Sequence, residues 1–289
     1  MSSLPSPVTD LTASALLAEA RALLTPHSPS PRLDAELLLF DATGLDQLRL
    51  LRDPNQTIDD QAATTFRHAL DRRASGEPLA CILGYKEFWS LRLGLNEATL
   101  IPRPETEVLV EAVLNASAAD QALAILDLGT GSGAIALALA SERPQATITA
   151  TDISSRALEQ ARENATAHGL TVTFIESDWF SALHAQRFDV IVSNPPYIKV
   201  NDPDLEAGVA HYEPATALFA GADGLECIRK ISRGAHDYLR PGGLLAVEHG
   251  FGQKESVARL LTDEGFGSIT QINDYAGLAR VTTARRASA

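Results

Sequence analysis

From Leu123 onward, short apolar runs alternate with helical stretches, and that alternation leaves few architectures open. Leu123–Leu128, Ala146–Thr151, Val172–Glu176, Phe188–Ser193 and Leu244–Glu248 read as strands. Helical stretches fall between them at Ala134–Ala140, Ser155–Ala167 and Leu225–Leu239, and another follows at Gln253–Glu264. Continuous apolar strands separated by helices predict an α/β fold, a parallel sheet covered on both faces. The tail, Ser268–Asn273 then Ala279–Thr283, reads as two strands joined by a tight connection.

The first part of the chain has a different texture. Residues 1 to about 8 are rich in Ser and Pro and are expected to fray. Leu16, Leu17, Ala20 and Leu24 recur at helical spacing, and Pro26 to Pro31 break the run. A second helix starts at Asp34-Ala35-Glu36, and a further one covers Ile58 to Ala74 with Thr57 as its expected N-cap. Between Tyr85 and Leu100 apolar and polar residues alternate, and Gly94-Leu95-Asn96 supplies turn chemistry. These patterns predict a helical bundle over residues 1–84, a β-hairpin linker over 85–101 and an α/β domain over 102–289.

At 289 residues, 45% hydrophobic and 21% charged, the chain has the composition of a soluble globular protein with a sizeable core. The net charge of −13 argues against a surface built to grip nucleic-acid backbone. Cys81 and Cys227 stand apart with no metal-ligand spacing, as reduced structural thiols of the cytosol do. No signal peptide and no run of transmembrane length is visible, so a soluble, cytoplasmic protein is expected.

Three strand ends point to a nucleoside. Asp127-Leu128-Gly129-Thr130-Gly131-Ser132-Gly133 closes one strand and opens a helix, and glycines there let a ligand approach the backbone. The plain alternative is a tight strand–helix turn. The next strand ends at Asp152, placed to accept hydrogen bonds from a ribose diol or to cap the following helix. The third ends at Ser177-Asp178-Trp179, where the indole of Trp179 offers a shelf for adenine, or simply fills the core. A nicotinamide cofactor competes, but GxGxG stands here in place of GxGxxG.

The fourth strand end is the most informative. Asn194-Pro195-Pro196-Tyr197 follows the buried run Phe188–Ser193, and its two prolines stiffen the exit. The Asn194 side-chain oxygen and the Pro195 carbonyl can accept both hydrogens of a planar –NH2 group, with Tyr197 against its flat face. The lone pair of such a nitrogen is delocalised. Two acceptors on its hydrogens favour pyramidal geometry and aim the lone pair at an electrophile. Hydride transfer has no use for that arrangement, whereas S-adenosylmethionine fits both this corner and the glycine turn.

With those residues assembled, the chain resembles the HemK/PrmC family, the N5-glutamine methyltransferases that act on peptide chain release factors. The resemblance runs from about Leu33 to Val281. Its markers are Gly76-Glu77-Pro78-Leu79, Gly84-Tyr85, Ile101 to Glu107, Asp127 to Gly133, Ser177 to Phe180, Ser193 to Ile198, Tyr212-Glu213-Pro214, Asp223-Gly224-Leu225 and Glu248-His249-Gly250. The resemblance implies a class I S-adenosylmethionine-dependent (Rossmann-like) methyltransferase domain with a C-terminal antiparallel hairpin. It implies that the N-terminal bundle and hairpin form part of the docking surface for the release factor and that the cofactor product is S-adenosylhomocysteine; a monomer is expected. Gly129, Thr130, Gly131, Ser132, Gly133, Asp152, Trp179 and Asn194 would line the cofactor site. Asn194, Pro195, Pro196 and Tyr197 would hold the Gln amide of a Gly-Gly-Gln loop. Arg103 would meet the cofactor's carboxylate or the substrate, or else pair with Glu105 across a turn.

Two other readings remain. Asn-Pro-Pro-Tyr also occurs in adenine-N6 DNA methyltransferases, but those need a basic groove and a target-recognition region, which the charge and pattern here do not offer. A non-catalytic, cofactor-sensing interaction protein would have no need of amide-orienting groups. No residue pair at metal-ligand spacing is seen, and His249, beside Glu248 at a strand end, is not expected to take part in the chemistry.

Overall fold

The computed structural model describes residues 11–203 and 211–288; the expected fraying of residues 1 to about 8 lies outside them. The chain divides into two compact units, Met1–Leu83 and Gly84–Ala289.

The first unit is helical: α1 (Ala13–Leu24), α2 (Pro31–Thr43), α3 (Gln47–Arg52), α4 (Asp60–Ala74) and α5 (Leu79–Leu83). Leu16, Leu24, Leu38, Leu39, Phe66 and Leu70 form its core. A buried ion pair, Arg73 Nε to Asp34 Oδ2 at 2.7 Å, ties α4 to α2, and the hydroxyls of Ser28 and Ser30 also donate to Asp34. Thr57 is not the cap of α4. Asp59 takes that place, its carboxylate accepting from the Ala62 N–H at 2.8 Å, while Thr57 bridges to Thr12. An acidic side chain suits a helix N-terminus better than a hydroxyl, since it also meets the dipole.

The hairpin expected as a linker belongs to the second unit. β1 (Tyr85–Phe88) and β2 (Leu91–Gly94) pair antiparallel. The reversal is at Trp89-Ser90, both at positive φ, rather than at Gly94-Leu95-Asn96. Two side chains hold this non-glycine turn: Glu107 accepts from the Trp89 N–H at 2.9 Å, and Glu142 accepts from its indole N–H at 2.8 Å. Gly94 lies against helix α8 (Ser155–His168), where the buried Asn164 amide accepts from the Gly94 N–H and donates to the carbonyls of Gly94 and Ser132.

Beyond the 3-10 turn Pro104–Thr106 and α6 (Glu107–Asn115) comes a seven-stranded sheet. Its strands are β3 (Ala124–Leu128), β4 (Thr147–Asp152), β5 (Thr173–Glu176), β6 (Phe188–Ser193), β7 (Leu239–Glu248), β8 (Gly267–Asn273) and β9 (Ala279–Arg285), in the order β5-β4-β3-β6-β7-β9-β8. β3 to β7 run parallel, and β9 returns antiparallel between β7 and β8. β7 starts earlier than the sequence suggests, at Leu239, with a register shift opposite Phe188/Val190 that accommodates Pro241-Gly242-Gly243.

Alternate residues of each central strand feed two cores. Ile125, Ile148, Val190, Val192 and Ala246 pack with α6 and α7 (Ala134–Glu142). Leu126, Leu128, Ile191, Leu245 and Val247 pack with Ile228 and Ile231 of the helix Glu226–Tyr238 and Val257 and Leu261 of the helix Lys254–Asp263. Both faces of these strands are therefore buried, which is why they read as continuous apolar runs.

Asn164→Ala strands the Gly94 N–H and two carbonyls at the junction of hairpin, α8 and glycine turn. A loss of about 2–4 kcal/mol is expected in urea denaturation at unchanged m-value. A change within about 0.5 kcal/mol would show that this amide does not join the three elements.

Candidate active site

The order of the sheet reverses between β3 and β6, the crevice where open α/β sheets bind ligands. Leu128 pairs with Thr151 on one side and with Ser193 on the other, and Ser193 pairs with Val247. The Ser193 hydroxyl donates to the Leu128 carbonyl at 2.7 Å. The glycine turn, Asp152, the Asn194–Tyr197 corner and Glu248 thus leave the sheet in one row.

A cavity of about 410 Å³ opens along this row, within the 300–1,000 Å³ range of small-molecule sites. Gly129, Thr130, Gly131 and Ser132 line it, with Asp152, Trp179, Asn194, Pro196 and Arg103. Gly129, Gly131 and Gly133 all have positive φ. Gly133, Pro195 and Tyr197 do not line the cavity. Gly133 serves packing: a Cβ there would sit 3.2 Å from Ala161 and Leu137 side chains.

The glycine turn is braced from beneath. Its first two amides, Gly129 and Thr130, both donate to the Thr151 carbonyl. The Thr130 hydroxyl donates to Asp127 Oδ2 at 2.6 Å, and Asp127 Oδ1 is buried with no hydrogen-bond partner among the described residues. Burial pushes the Asp127 carboxyl up to about 7. Asp152 Oδ2 accepts from the Gly131 N–H and Oδ1 from the Ser154 N–H, both at 2.9 Å. The helix cap itself is the Ser154 hydroxyl, which accepts from Ala157 N–H. Burial raises the Asp152 carboxyl, which favours further donors such as hydroxyls.

At the corner, Asn194 Nδ2 donates to the Thr106 hydroxyl at 3.0 Å, which leaves Oδ1 as the acceptor end of the amide. The phenol of Tyr197 reaches Glu248 Oε1 at 3.4 Å, and burial raises its pKa well above the usual value. The Tyr197 carbonyl accepts from Gln253 Nε2 at 3.0 Å, and the same amide donates to the Gly224 carbonyl. Gly224 is required here: its φ is +74, and a Cβ would come within 2.4 Å of the Tyr197 carbonyl oxygen. The Asp223-Gly224-Leu225 marker is thus a support for the corner.

Arg103 does not pair with Glu105. Its guanidinium bonds Glu213, a buried carboxylate that also accepts from the Ile101 N–H at 3.2 Å. Glu213 thereby fastens the Ile101–Arg103 segment along one wall of the cavity. His249 is buried and engaged at both nitrogens, by the Gly250 carbonyl and the Thr282 hydroxyl. Sequence reasoning passed over Thr106, Glu213 and Glu248 as site residues, although each lies in a marker stretch.

A Methyltransferase small domain matches residues 104–218, and a PrmC N-terminal domain matches residues 15–84. A release factor glutamine methyltransferase of Xylella fastidiosa is 44% identical over 283 residues, 98% of each chain. One of Pseudomonas aeruginosa is 47% identical over 258 residues, 89% of this chain and 93% of its own. The chain belongs to the family of release factor glutamine methyltransferases. A methyltransferase from Pyrococcus furiosus, 20% identical with a TM-score of 0.51 over 68% of this chain and 89% of its own, has the same class I fold.

The cofactor of this methyltransferase family is S-adenosylmethionine, and the site fits it. A ribose diol would give Asp152 the hydroxyl donors that its raised carboxyl favours. A Cβ added at Gly131 would meet nothing within 4 Å, so the backbone is open to a ligand. The half-buried Trp179 ring, 3.7 Å from where a Gly129 Cβ would stand, offers a flat surface beside the turn. Asp152→Ala is expected to weaken S-adenosylmethionine binding by about 10-fold or more in calorimetry, the loss of charge-assisted hydrogen bonds. Unchanged affinity would remove Asp152 from the ribose.

Proposed function

We propose that this protein transfers a methyl group from S-adenosylmethionine to the side-chain amide nitrogen (N5) of the Gln in the Gly-Gly-Gln motif of peptide chain release factors. One observation carries the reading of the site: the Asn194 amide is tied by its nitrogen to Thr106, so its oxygen is the end free to accept. An –NH2 substrate needs acceptors, and a second stands next in the chain. The Pro195 carbonyl precedes a proline and has no neighbouring N–H to occupy it.

When bound, S-adenosylmethionine supplies a methyl group on a positively charged sulfur, already a strong electrophile. The chain's task is therefore to aim the amide rather than to provide a strong base. Asn194 Oδ1 and the Pro195 carbonyl hold the two amide hydrogens, and the fixed Pro195-Pro196 backbone keeps the two acceptors at constant separation. The ring of Tyr197 is tethered by its hydroxyl to Glu248 and by its carbonyl to Gln253, and it supports the corner from inside. Arg103, neutralised in part by Glu213, faces the cavity as the group that meets the substrate or the cofactor's carboxylate. The proton leaves after alkylation, when the nitrogen has become acidic, so no histidine is required.

The net charge of −13 favours a protein partner over nucleic acid, and among the described residues no helix is long and apolar enough to cross a membrane. Mass spectrometry of a purified release factor after incubation with the protein and S-adenosylmethionine should show one added methyl on the Gly-Gly-Gln glutamine. A release factor left unmodified would overturn the reading. Asn194→Ala should depress kcat by about 100-fold while the S-adenosylmethionine Kd moves little, because the lost bond matters most in the transition state. A change in KM alone would mean that Asn194 binds without orienting.

A further inference from the structure

Gln253 closes the 3-10 turn Phe251–Gln253 that follows β7, and it does not line the cavity. Three loops meet at its side chain. Nε2 donates to the Tyr197 carbonyl at 3.0 Å and to the Gly224 carbonyl at 3.3 Å, and Oε1 accepts from the Gly250 N–H at 2.9 Å. All three partners are backbone groups with one possible role each: a carbonyl accepts and an N–H donates. The direction of this amide is therefore fixed, with both donors and the acceptor in use. Its own backbone is held as well, since the Gln253 N–H donates to the Gly250 carbonyl at 2.9 Å and the helix Lys254–Asp263 follows directly.

The bond to Tyr197 pins a peptide plane. The Tyr197–Ile198 peptide has its oxygen on Gln253 and its N–H on the Leu218 carbonyl, the latter at 3.0 Å. At the upstream end, the chain leaves β6 at Ser193, whose hydroxyl is bonded to the Leu128 carbonyl. Between these two fixed points stand Pro195 and Pro196. Their rings lock φ, and Asn194 and Pro195, each preceding a proline, are kept out of the helical region. A stretch with so few soft torsions takes its direction from its ends. Two glycines make room for the amide at the downstream end. A Cβ at Gly224 would come within 2.7 Å of Gln253 Nε2, and one at Gly250 would stand 3.2 Å from Gln253 Oε1 and 3.7 Å from the Tyr197 ring.

We propose that Gln253 is a positioning residue for methyl transfer: it holds the downstream end of the Asn194–Tyr197 corner and so sets the direction in which the acceptors of that corner face. It touches no reacting atom and acts through the Tyr197 backbone. This rests on the acceptor roles given to Asn194 and the Pro195 carbonyl above. Without the amide, the Tyr197–Ile198 peptide keeps only its bond to Leu218 and can turn about the torsions of Pro196 and Tyr197. The corner then swings, and a displacement that depends on alignment loses rate with small errors of position. The glycine turn and Asp152 are braced elsewhere, by the Thr151 carbonyl and the Ser154 N–H, so cofactor binding should not follow.

The test uses the full chain, S-adenosylmethionine and a purified release factor, with urea denaturation confirming that each variant is folded where its rate is read. Gln253→Ala removes all three bonds; Gln253→Glu keeps an acceptor for Gly250 and sets a carboxylate against the two carbonyls. Each should lower kcat by about 10- to 100-fold, with the release factor KM and the S-adenosylmethionine Kd within about threefold of wild type. Should Gln253→Ala fail to fold, Gln253→Glu is read in the same way. Combined with Asn194→Ala, the loss should fall short of the product of the two single losses, because a corner already lacking one acceptor gains less from being held. In hydrogen exchange of the cofactor-free protein, Gln253→Ala should speed the Gly250 and Ile198 amides by about 10-fold or more and leave Gly129 and Thr130 unchanged. A wild-type kcat in the folded variants, losses that multiply in the double variant, or an Ile198 amide as protected as before would each overturn the proposal. Faster exchange spread to Gly129 and Thr130 with weaker cofactor binding marks a general structural role and also overturns it. Exchange is read without turnover, and methylation of the release factor is read on the wild type alone, so the anchor and the proposed function fail separately.

Discussion

The parallel pairing of β3 with β6 is the constraint on which the site depends. Leu128 and Ser193 sit opposite each other at the carboxyl end, and the Ser193 hydroxyl clips the Leu128 carbonyl. The residues that follow are Gly129 and Asn194, so one register fixes the separation between the glycine turn and the Asn194–Tyr197 corner. Because both faces of these strands are buried, a slip of one residue would exchange Ile125 and Val190 with Leu126 and Ile191 between two different cores. The hydrophobic pattern thus protects the chemistry at the strand ends.

Around that pairing, the remaining marker stretches act as braces. Glu213 fastens Ile101 and Arg103, Gly224 and Gln253 hold the Tyr197 carbonyl, and Asn164 joins the hairpin and α8 to Ser132 of the glycine turn. The wall and the corner therefore come from segments far apart in sequence. Their common feature is that contacts between distant segments fix the backbone around the cavity.

The sheet, its crevice and the Asn194 corner were legible in the sequence because their signals are local. Apolar strands, a glycine turn and two prolines carry their conformational meaning within a few residues. The hairpin turn was misplaced because Trp89 and Ser90 adopt positive φ without the residues that normally advertise it, and Glu107 and Glu142, which support them, are distant in sequence. The partner of Arg103 was invisible for the same reason: Glu105 is near in sequence, Glu213 near in space. Glu248 was passed over beside His249, since alternation carries no information on a strand buried on both sides.

Asp127 of β3 and Glu248 of β7, two carboxyls both pushed up to about 7 by burial, lie on the two strands that flank β6, after which Asn194 follows. The Thr130 hydroxyl donates to Asp127 at the glycine turn, and the Thr106 hydroxyl accepts from Asn194 at the corner. A neutron structure with S-adenosylhomocysteine and a glutamine-containing substrate peptide reads the orientation of the Asn194 amide directly. Deuterons are expected on Asn194 Nδ2 facing the Thr106 hydroxyl oxygen, with Asn194 Oδ1 and the Pro195 carbonyl both receiving the glutamine –NH2. An Asn194 amide turned with its nitrogen toward the glutamine, or a glutamine held away from this corner, would contradict the central claim.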